Sequence, residues 1–372
     1  MGNLNYYYGN KESKSDDKYK KKLQDYKTYF FSNHVIVGIL GKGCYGTVCL
    51  VQHKKNKKNV YAMKVIEKYA EPEVEEEEQV NDEDLEECEK LPEYYYTKME
   101  RNIMVKISKI NDPFLLRIKS AFQDSENFYI ISEYIPGKNL GDYIFEKKKF
   151  SGEVTKFYAI EILLGLESLH ALDIAHRDLK FENILVDTEG HIKICDFGCG
   201  TVIKPKIKKT DVVGSPAFMA PEIKTKKGYD KMVDWWSYGA MLYIMLSGIE
   251  PDDFYKMKEK NKIEMLDSFS DTEKDLLQGL LNPDPKNRLG SKNGAEEIKK
   301  HKYFEGVNWD EYRNKKSDGP FKHSPENLKE KGKPEEISFN KDNNYNKFRN
   351  FTYVSESLLD AKSKEFKDDD NN

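Results

Sequence analysis

The sequence predicts an α+β fold in which a small antiparallel sheet precedes a larger, mainly helical region, and three observations carry that expectation. Short β-branched segments joined by polar turns dominate up to about residue 135. Beyond it, long apolar runs with helical spacing take over. One glycine-rich turn joins two of the strands rather than a strand and a helix.

The elements follow in order. Residues 1–34 are rich in Asn, Lys and Tyr, with Lys14, Lys18, Lys20, Lys21, Lys22 and Lys27 around Leu23 and Phe30, and read as a loose basic arm ending in a helix. Val35–Val37, Thr47–Val51 and Val60–Ile66 have strand texture. Residues 71–93 hold thirteen acidic side chains and one lysine, a local charge of −12, and read as a solvated loop or frayed helix. Tyr96 to Ile110 has helical spacing, and Phe128–Ile131 resumes a strand that Pro136-Gly137 ends. Ser151 with Glu153 opens a helix running to His170, and Met232–Leu246 and Asp271–Leu281 are two more. The polar tail from Glu311, with isolated aromatics, reads as an extended segment laid over the body. The expected partition is a basic arm 1–34, a main domain 35–304 (sheet part about 35–135 with the acidic insert 71–93, helical part about 136–304) and a tail 305–372.

Composition narrows the class. The 372 residues can bury a substantial core, and net charge is only −4 from 61 Lys+Arg and 65 Asp+Glu, so the acidic insert leaves +8 for everything else. Cys44, Cys49, Cys88, Cys195 and Cys199 are an odd set without CxxC pairs, and Met1 opens no apolar leader. A secreted disulfide framework is therefore not expected; a cytoplasmic protein, or a nuclear or membrane-associated one, is. The apolar stretch Tyr238–Ile249 falls short of the ~18 residues of a membrane span. The lysine clusters lack an aromatic-basic recognition pattern, so nucleic acid is not an expected partner.

Leu40-Gly41-Lys42-Gly43-Cys44-Tyr45-Gly46-Thr47-Val48 contains GxGxxG, a pattern shared by dinucleotide and ATP folds. A dinucleotide turn requires a helix straight after it, with an acidic residue ~20 positions on. Glu67 fits that spacing, but a β-branched strand follows Gly46. Glycines between two strands form instead a hairpin flap whose backbone can approach phosphates. Lys64, on the third strand, can hold phosphate oxygens, and Glu100 on the next helix can fix its amine.

The sharpest island is His176-Arg177-Asp178-Leu179-Lys180-Phe181-Glu182-Asn183. Asp178 can accept a hydroxyl proton, Lys180 can neutralise a moving phosphoryl group, and Asn183 can reach a metal. Asp196-Phe197-Gly198 follows, and Asp196 is a hard oxygen ligand suited to Mg²⁺.

In this order and spacing the residues resemble the eukaryotic protein kinase family over about 35–306 and parts of the tail. Ala220-Pro221-Glu222, Asp234-Trp235-Trp236-Ser237-Tyr238-Gly239 and Arg288 resemble further motifs of that family, with Glu222 and Arg288 as a buried pair. The resemblance implies a bilobal fold, a small antiparallel-sheet lobe with one helix and a larger helical lobe, and an enzyme using ATP and Mg²⁺ on protein substrates. It implies that Leu40 to Val48, Ala62, Lys64, Glu133, Ile135 and Leu185 contact the nucleotide, that Lys64 is tied to Glu100, that Asn183 and Asp196 hold Mg²⁺, and that Asp178 and Lys180 carry the chemistry. Lys180 and Ser215 point to Ser or Thr as acceptor. A binding scaffold that keeps the fold without turnover is the alternative; the intact Lys64, Asp178, Asn183 and Asp196 speak against it.

Residues 301–309 and the tail Phe348-Arg349-Asn350-Phe351-Thr352-Tyr353 resemble the AGC group, which includes cyclic-nucleotide-dependent kinases, and imply a hydrophobic motif docked on the small lobe, with Thr352 a phosphosite. A regulatory subunit or an upstream kinase is the implied partner. Three departures stand out. Asp211 occupies the group's activation-loop Thr position and can pair with Arg177, with Thr210 the competing phosphosite. Of three carboxylates that read substrate arginines in relatives, Glu182 is kept while the others fall at Asn139 and Ile244; Glu250, Asp252 and Asp253 are either substitutes or a solvated loop. Gly2-Asn3 resembles an N-myristoylation start, but Tyr6 stands where Ser or Thr is wanted, so membrane contact depends on acylation of Gly2. Cys44, Cys195 and Cys199 near the nucleotide serve packing or redox sensing.

Overall fold

A computed structural model of the chain describes residues 14–43, 46–68, 93–204, 208–225, 227–324 and 351–359. Gly2, Cys44, Tyr45, Cys88, the acidic insert short of Glu93, and Phe348 to Asn350 lie outside the described residues. The elements in order are α1 (Lys14–Asn33), β1 (His34–Gly43), β2 (Gly46–His53), β3 (Val60–Glu67), α2 (Glu93–Ile110), β4 (Ile118–Gln123), β5 (Asn127–Glu133), α3 (Leu140–Lys147), α4 (Gly152–Ala171), β6 (Ile174–Ala175), β7 (Ile184–Val186), β8 (Ile192–Ile194), β9 (Thr201–Val202), α5 (Met232–Ser247), α6 (Pro251–Glu259), α7 (Asp271–Leu280), α8 (Ala295–Lys299), α9 (Trp309–Arg313) and β10 (Tyr353–Val354). The chain divides into two compact units: one of Met1–Ala70, Ile118–Tyr134 and Leu328–Asn372, the other of Glu71–Arg117 and Ile135–Asn327.

The first unit is a sheet in the order β1-β2-β3-β5-β4-β10, antiparallel throughout. Side chains alternate across a pleat, so Cys49, Val51, Met63 and Val65 share one face with Phe122 and Tyr129 in a buried cluster. Leu23, Tyr26 and Phe30 of α1 join it. Spaced by three and four, they form one stripe of that helix. The helix expected at the end of the basic arm is present and packs on the sheet: Phe30 stacks on His34 at 4.2 Å, and the buried Lys27 donates from Nζ to the Gln123 carbonyl at 2.7 Å. The lysines flanking these apolar positions gave the stretch its solvated look. At the far edge, Tyr353 and Val354 pair with Ala121 and Ser120, and the Phe351 ring lies 4.6 Å from that of Phe128.

The second unit is built on α4 and α5, both buried along most of their length. Ser151 caps α4 by accepting from the Val154 amide, and the Tyr238 hydroxyl donates to the Ala159 carbonyl at 3.0 Å. Gly239 lets α7 close in, since a Cβ there would stand 2.7 Å from the Leu280 Cβ. Two short ladders, β6–β9 and β7–β8, present the connecting loops. The sequence reading puts α2 with the sheet, whereas it groups with this helical unit: a Cβ on Gly200 would meet Ile103 Cδ1 at 2.9 Å. The tail is anchored here as well, with Arg313 bonded to Asp112 at 2.7 Å and Glu167 at 2.6 Å, and Phe321 stacked on Tyr143 at 4.6 Å.

Candidate active site

The candidate residues fall into two groups, one on each unit. In the sheet unit, β1 and β2 run as a hairpin through the glycine-rich turn with Gly43 opposite Gly46, Lys42 opposite Thr47 and Gly41 opposite Val48. Gly46 is required by geometry: its φ is +123°, and a Cβ would lie 2.2 Å from the Val65 carbonyl oxygen. Gly41 and Gly43 face open space, with nothing within 4 Å of a Cβ, and so offer bare backbone to a ligand. Val48 pairs with Lys64, Lys64 with Ile130, and Ala62 with Ser132. The period of two thus sets Val48, Ala62 and Lys64 on the face opposite the α1 cluster. Leu40 precedes this turn on β1, and Glu133 ends β5, opposite Tyr61. In the helical unit, Ile135 precedes α3, and Leu185 sits on β7 opposite Lys193.

The helical unit holds the candidate reactive group. Asp178 is nearly buried; its Oδ1 accepts from the Ser215 amide at 2.7 Å and its Oδ2 lies 3.2 Å from Lys180 Nζ. Lys180 Nζ also donates to Ser215 Oγ at 3.0 Å. Burial works to lower the Lys180 pKa, but Asp178, with Glu182 and Asp196, outweighs it and holds the amine above the usual lysine value, so it stays charged. Gly214 makes the approach of Ser215 possible, with φ +103° and a would-be Cβ 2.3 Å from the Arg177 carbonyl oxygen. Asn183 Nδ2 donates to the Asp178 carbonyl at 2.8 Å, which leaves the amide oxygen for another partner. The β7–β8 ladder brings Asn183 beside Asp196, since the Cys195 amide donates to the Asn183 carbonyl at 2.9 Å. Among the described residues no cluster of three or more His, Cys, Asp or Glu could hold a metal. One amide and one carboxylate oxygen suit an ion that keeps water and phosphate in its shell, as Mg²⁺ does.

Two residues of the loop have left-handed backbone, Arg177 at φ +66° and Asp196 at φ +57°. For non-glycine residues this is costly and persists only when the surroundings over-determine it. Asp234 of α5 does so for the first: Oδ1 accepts from the Arg177 amide at 2.8 Å, and Oδ2 from the His176 amide at 2.9 Å and from His170 Nε2 at 2.8 Å. His176 Nε2 in turn donates to the Cys195 carbonyl at 3.0 Å.

The Arg177 guanidinium is buried. Its Nε donates to the Cys199 carbonyl at 2.6 Å, and Nη1 to Asp211 Oδ2 at 2.7 Å and to the Tyr229 hydroxyl at 2.8 Å. The Tyr229 hydroxyl donates to the Asp211 carbonyl at 2.7 Å. Thr210, beside this pair, is exposed, while Lys209 bridges to Tyr229 through main-chain bonds. Burial, reinforced by Asp211, raises the Tyr96 pKa, which puts α2 within reach of this cluster. Tyr229 and Tyr96 escape sequence reasoning because a tyrosine carries no motif signal; Asp234 is legible only as a motif letter.

Other expectations resolve differently. Glu182 is exposed in the turn Phe181–Asn183, next to Gly141. Asn139 caps α3 in a reciprocal capping box with Asp142, and Ile244 is fully buried. Glu250, Asp252 and Asp253 are no loop: they open α6, where carboxylates suit the positive helix end. Cys195 and Cys199 are both buried. Thr352 directly precedes β10. Glu222 and Arg288 form the expected buried pair, bidentate at 2.6 and 2.9 Å.

Residues 34–304 match the family model described as protein kinase domain, and the chain belongs to that family. The relatives it matches are serine/threonine kinases of the AGC group. It is 37% identical over 302 residues to serine/threonine-protein kinase Sgk1 of Xenopus tropicalis, covering 78% of this chain and 66% of that protein. It is 36% identical over 280 residues to AtPK1/AtPK6 of Arabidopsis thaliana (74% and 56%) and 35% over 292 residues to the cAMP-dependent protein kinase catalytic subunit of Dictyostelium discoideum (77% and 42%). The chain thus spans about two-thirds or less of the length of these curated relatives.

Proposed function

We propose that this chain is an ATP- and Mg²⁺-dependent serine/threonine protein kinase that transfers the γ-phosphoryl group to hydroxyls of protein substrates. The observation that carries this reading is the joint hold on Asp178 by the Ser215 amide and Lys180, with Lys180 also on Ser215 Oγ. Mg²⁺-ATP, when bound, supplies the transferable phosphoryl group and the cationic charge that offsets its oxygens. Asp178 orients the acceptor hydroxyl and takes its proton, and Lys180 balances the charge that develops. Asn183 and Asp196 offer the metal oxygens; Gly41, Gly43 and Gly46 offer backbone to phosphates, with Lys64 as a point charge; Val48, Ala62 and Leu185 offer apolar surface to the base. Catalysis of this kind is mostly positioning and electrostatics.

Control of the enzyme is part of the same proposal. Asp211 holds Arg177 without modification, supplying part of what a phosphate on the neighbouring Thr210 would supply. Thr352 is a candidate phosphosite on the tail, and Glu182 reads a basic substrate side chain. A regulatory subunit or upstream kinase, and membrane contact through an acylated Gly2, complete the list of expected partners. Among the described residues no helix is long and apolar enough to cross a membrane.

Incubation with Mg-ATP and a mixed Ser, Thr and Tyr peptide library tests the reading. Transfer to Ser and Thr peptides is expected, with Asp178→Asn lowering kcat about a thousandfold. ATP binding with no transfer by the unaltered protein overturns it in favour of a scaffold.

A further inference from the structure

Lys258, on α6, is buried, and both hydrogen bonds it donates go to main-chain carbonyls, those of Pro216 and Met219, the latter at 3.0 Å. Lysine is almost never fully buried unless its charge is met. The two carbonyls belong to the segment that directly follows Ser215 and leads into Glu222. The side chains there offer no polar anchor: Phe218 is buried with its ring 5.5 Å from that of Phe181, and Met219 and Ala220 are apolar and buried. The backbone must therefore be held from outside. Ser237 Oγ donates to the Phe218 carbonyl at 2.8 Å, which leaves Pro216 and Met219 to Lys258.

The surroundings keep the amine where it is. Lys258 lies over the Tyr255 ring at 5.0 Å, and Lys224 lies over the same ring at 5.2 Å. Lys224 is bound to Glu259 at 2.7 Å, so the nearest carboxylate is already engaged. Burial, reinforced by Lys224, pulls the Lys258 amine down to about 8. Holding a cation in such a place is costly, and the carbonyl contacts, with the Tyr255 ring and the charge of Glu259, offset it.

The structure assigns to Lys258 a positioning role: it fixes the segment Pro216–Met219 beside Ser215 and thereby sets affinity for the acceptor peptide. The assignment rests on the kinase reading, since the peptide lies along that segment only if Asp178 and Ser215 face an acceptor. Lys258 donates to main-chain carbonyls and not to Asp178, Lys180 or Ser215, so its removal acts on peptide binding and not on the chemical step.

The test compares Lys258→Met, Lys258→Arg and Lys258→Gln in the full chain. With the best peptide from the library, Lys258→Met is expected to raise peptide KM about tenfold while kcat and ATP KM stay within about twofold. Lys258→Arg, which keeps charge and donors, recovers most of the affinity, and Lys258→Gln, which keeps a donor, falls between. Lys224→Met, at an exposed lysine, leaves all three constants unchanged. A second readout needs no turnover: the Phe218 and Met219 amides donate to the Ser215 carbonyl at 3.0 Å, and their hydrogen exchange quickens about tenfold in Lys258→Met. Should that variant fail to fold, Lys258→Gln is read in both assays. An unchanged peptide KM, equal losses in kcat and peptide KM, or unchanged exchange each overturn the assignment. Quickened exchange in a protein that transfers no phosphate supports the hold on the segment while refuting the kinase reading.

Discussion

The two units bury different kinds of groups. In the sheet unit the interior is apolar and aromatic, and Lys27 and Asp124 sit at its margins, each tied to main chain or a neighbouring hydroxyl. In the helical unit charged groups stand at the centre: Asp234 under the loop of Arg177 and His176, Glu161 bonded to His191 at 2.6 Å, Arg288 on Glu222, and Lys258 under the segment Pro216–Met219. Burial alone raises the Glu161 pKa, with His191 opposing it. A sheet closed by a hydrophobic stripe tolerates sliding and repacking, because apolar contacts are non-directional. A loop held by buried charges has one permitted geometry. Asp178, the proposed catalytic group, lies in the second kind of environment, where left-handed Arg177 and Asp196 must be enforced.

This contrast breaks most clearly at Arg288. Arg288→Met strands Glu222 as a buried charge and is expected to destabilise the helical unit by roughly 3–5 kcal/mol in chemical denaturation, while Glu222→Met with Arg288→Met recovers much of the loss. Recovery by the double variant is the signature of a polar interior; its absence would place the cost in packing. Phe30→Ala removes the most buried ring of the α1 stripe and is expected to cost about 3 kcal/mol, with Phe30→Leu restoring most of it and no change in salt dependence. A loss that deepens with salt would show that Lys27 and its neighbours, not the apolar stripe, hold α1.

The smallest effect falls on Asp211. Its carboxylate is about a third exposed, so its hold on Arg177 is screened. Asp211→Ala is expected to lower kcat roughly fivefold in protein free of phosphate on Thr210, with Asp211→Glu retaining more. Full activity in Asp211→Ala would hand the Arg177 contact to Tyr229 and the Cys199 carbonyl.

Much of this was legible beforehand, for identifiable reasons. The strands around Val48 and Lys64 announce themselves by period two, α4 by Ser151 and its apolar spacing, and the candidate cluster by the order of Asp178, Lys180, Asn183 and Asp196. The misreadings share a cause as well. The lysines around Leu23 and Phe30 masked a buried stripe, and Asp252 and Asp253, which are exposed, read as a loop because a helix start and a loop share their composition. Lys258 gave no sign at all, since nothing local separates a lysine facing water from one facing two carbonyls.

By itself the sequence determined which chemical groups are present and in what order, because motif spacing and hydrophobic period are local properties of the chain. Only the tertiary structure decided which buried charge meets which partner. The pairs Arg177 with Asp211 and Tyr229, Asp234 with the His176 and Arg177 amides, and Lys258 with the Pro216 and Met219 carbonyls join residues 34 to 58 positions apart. Such partners are chosen by the cost of leaving a polar group unsatisfied in a dry interior, a cost that exists only once the chain has closed around it.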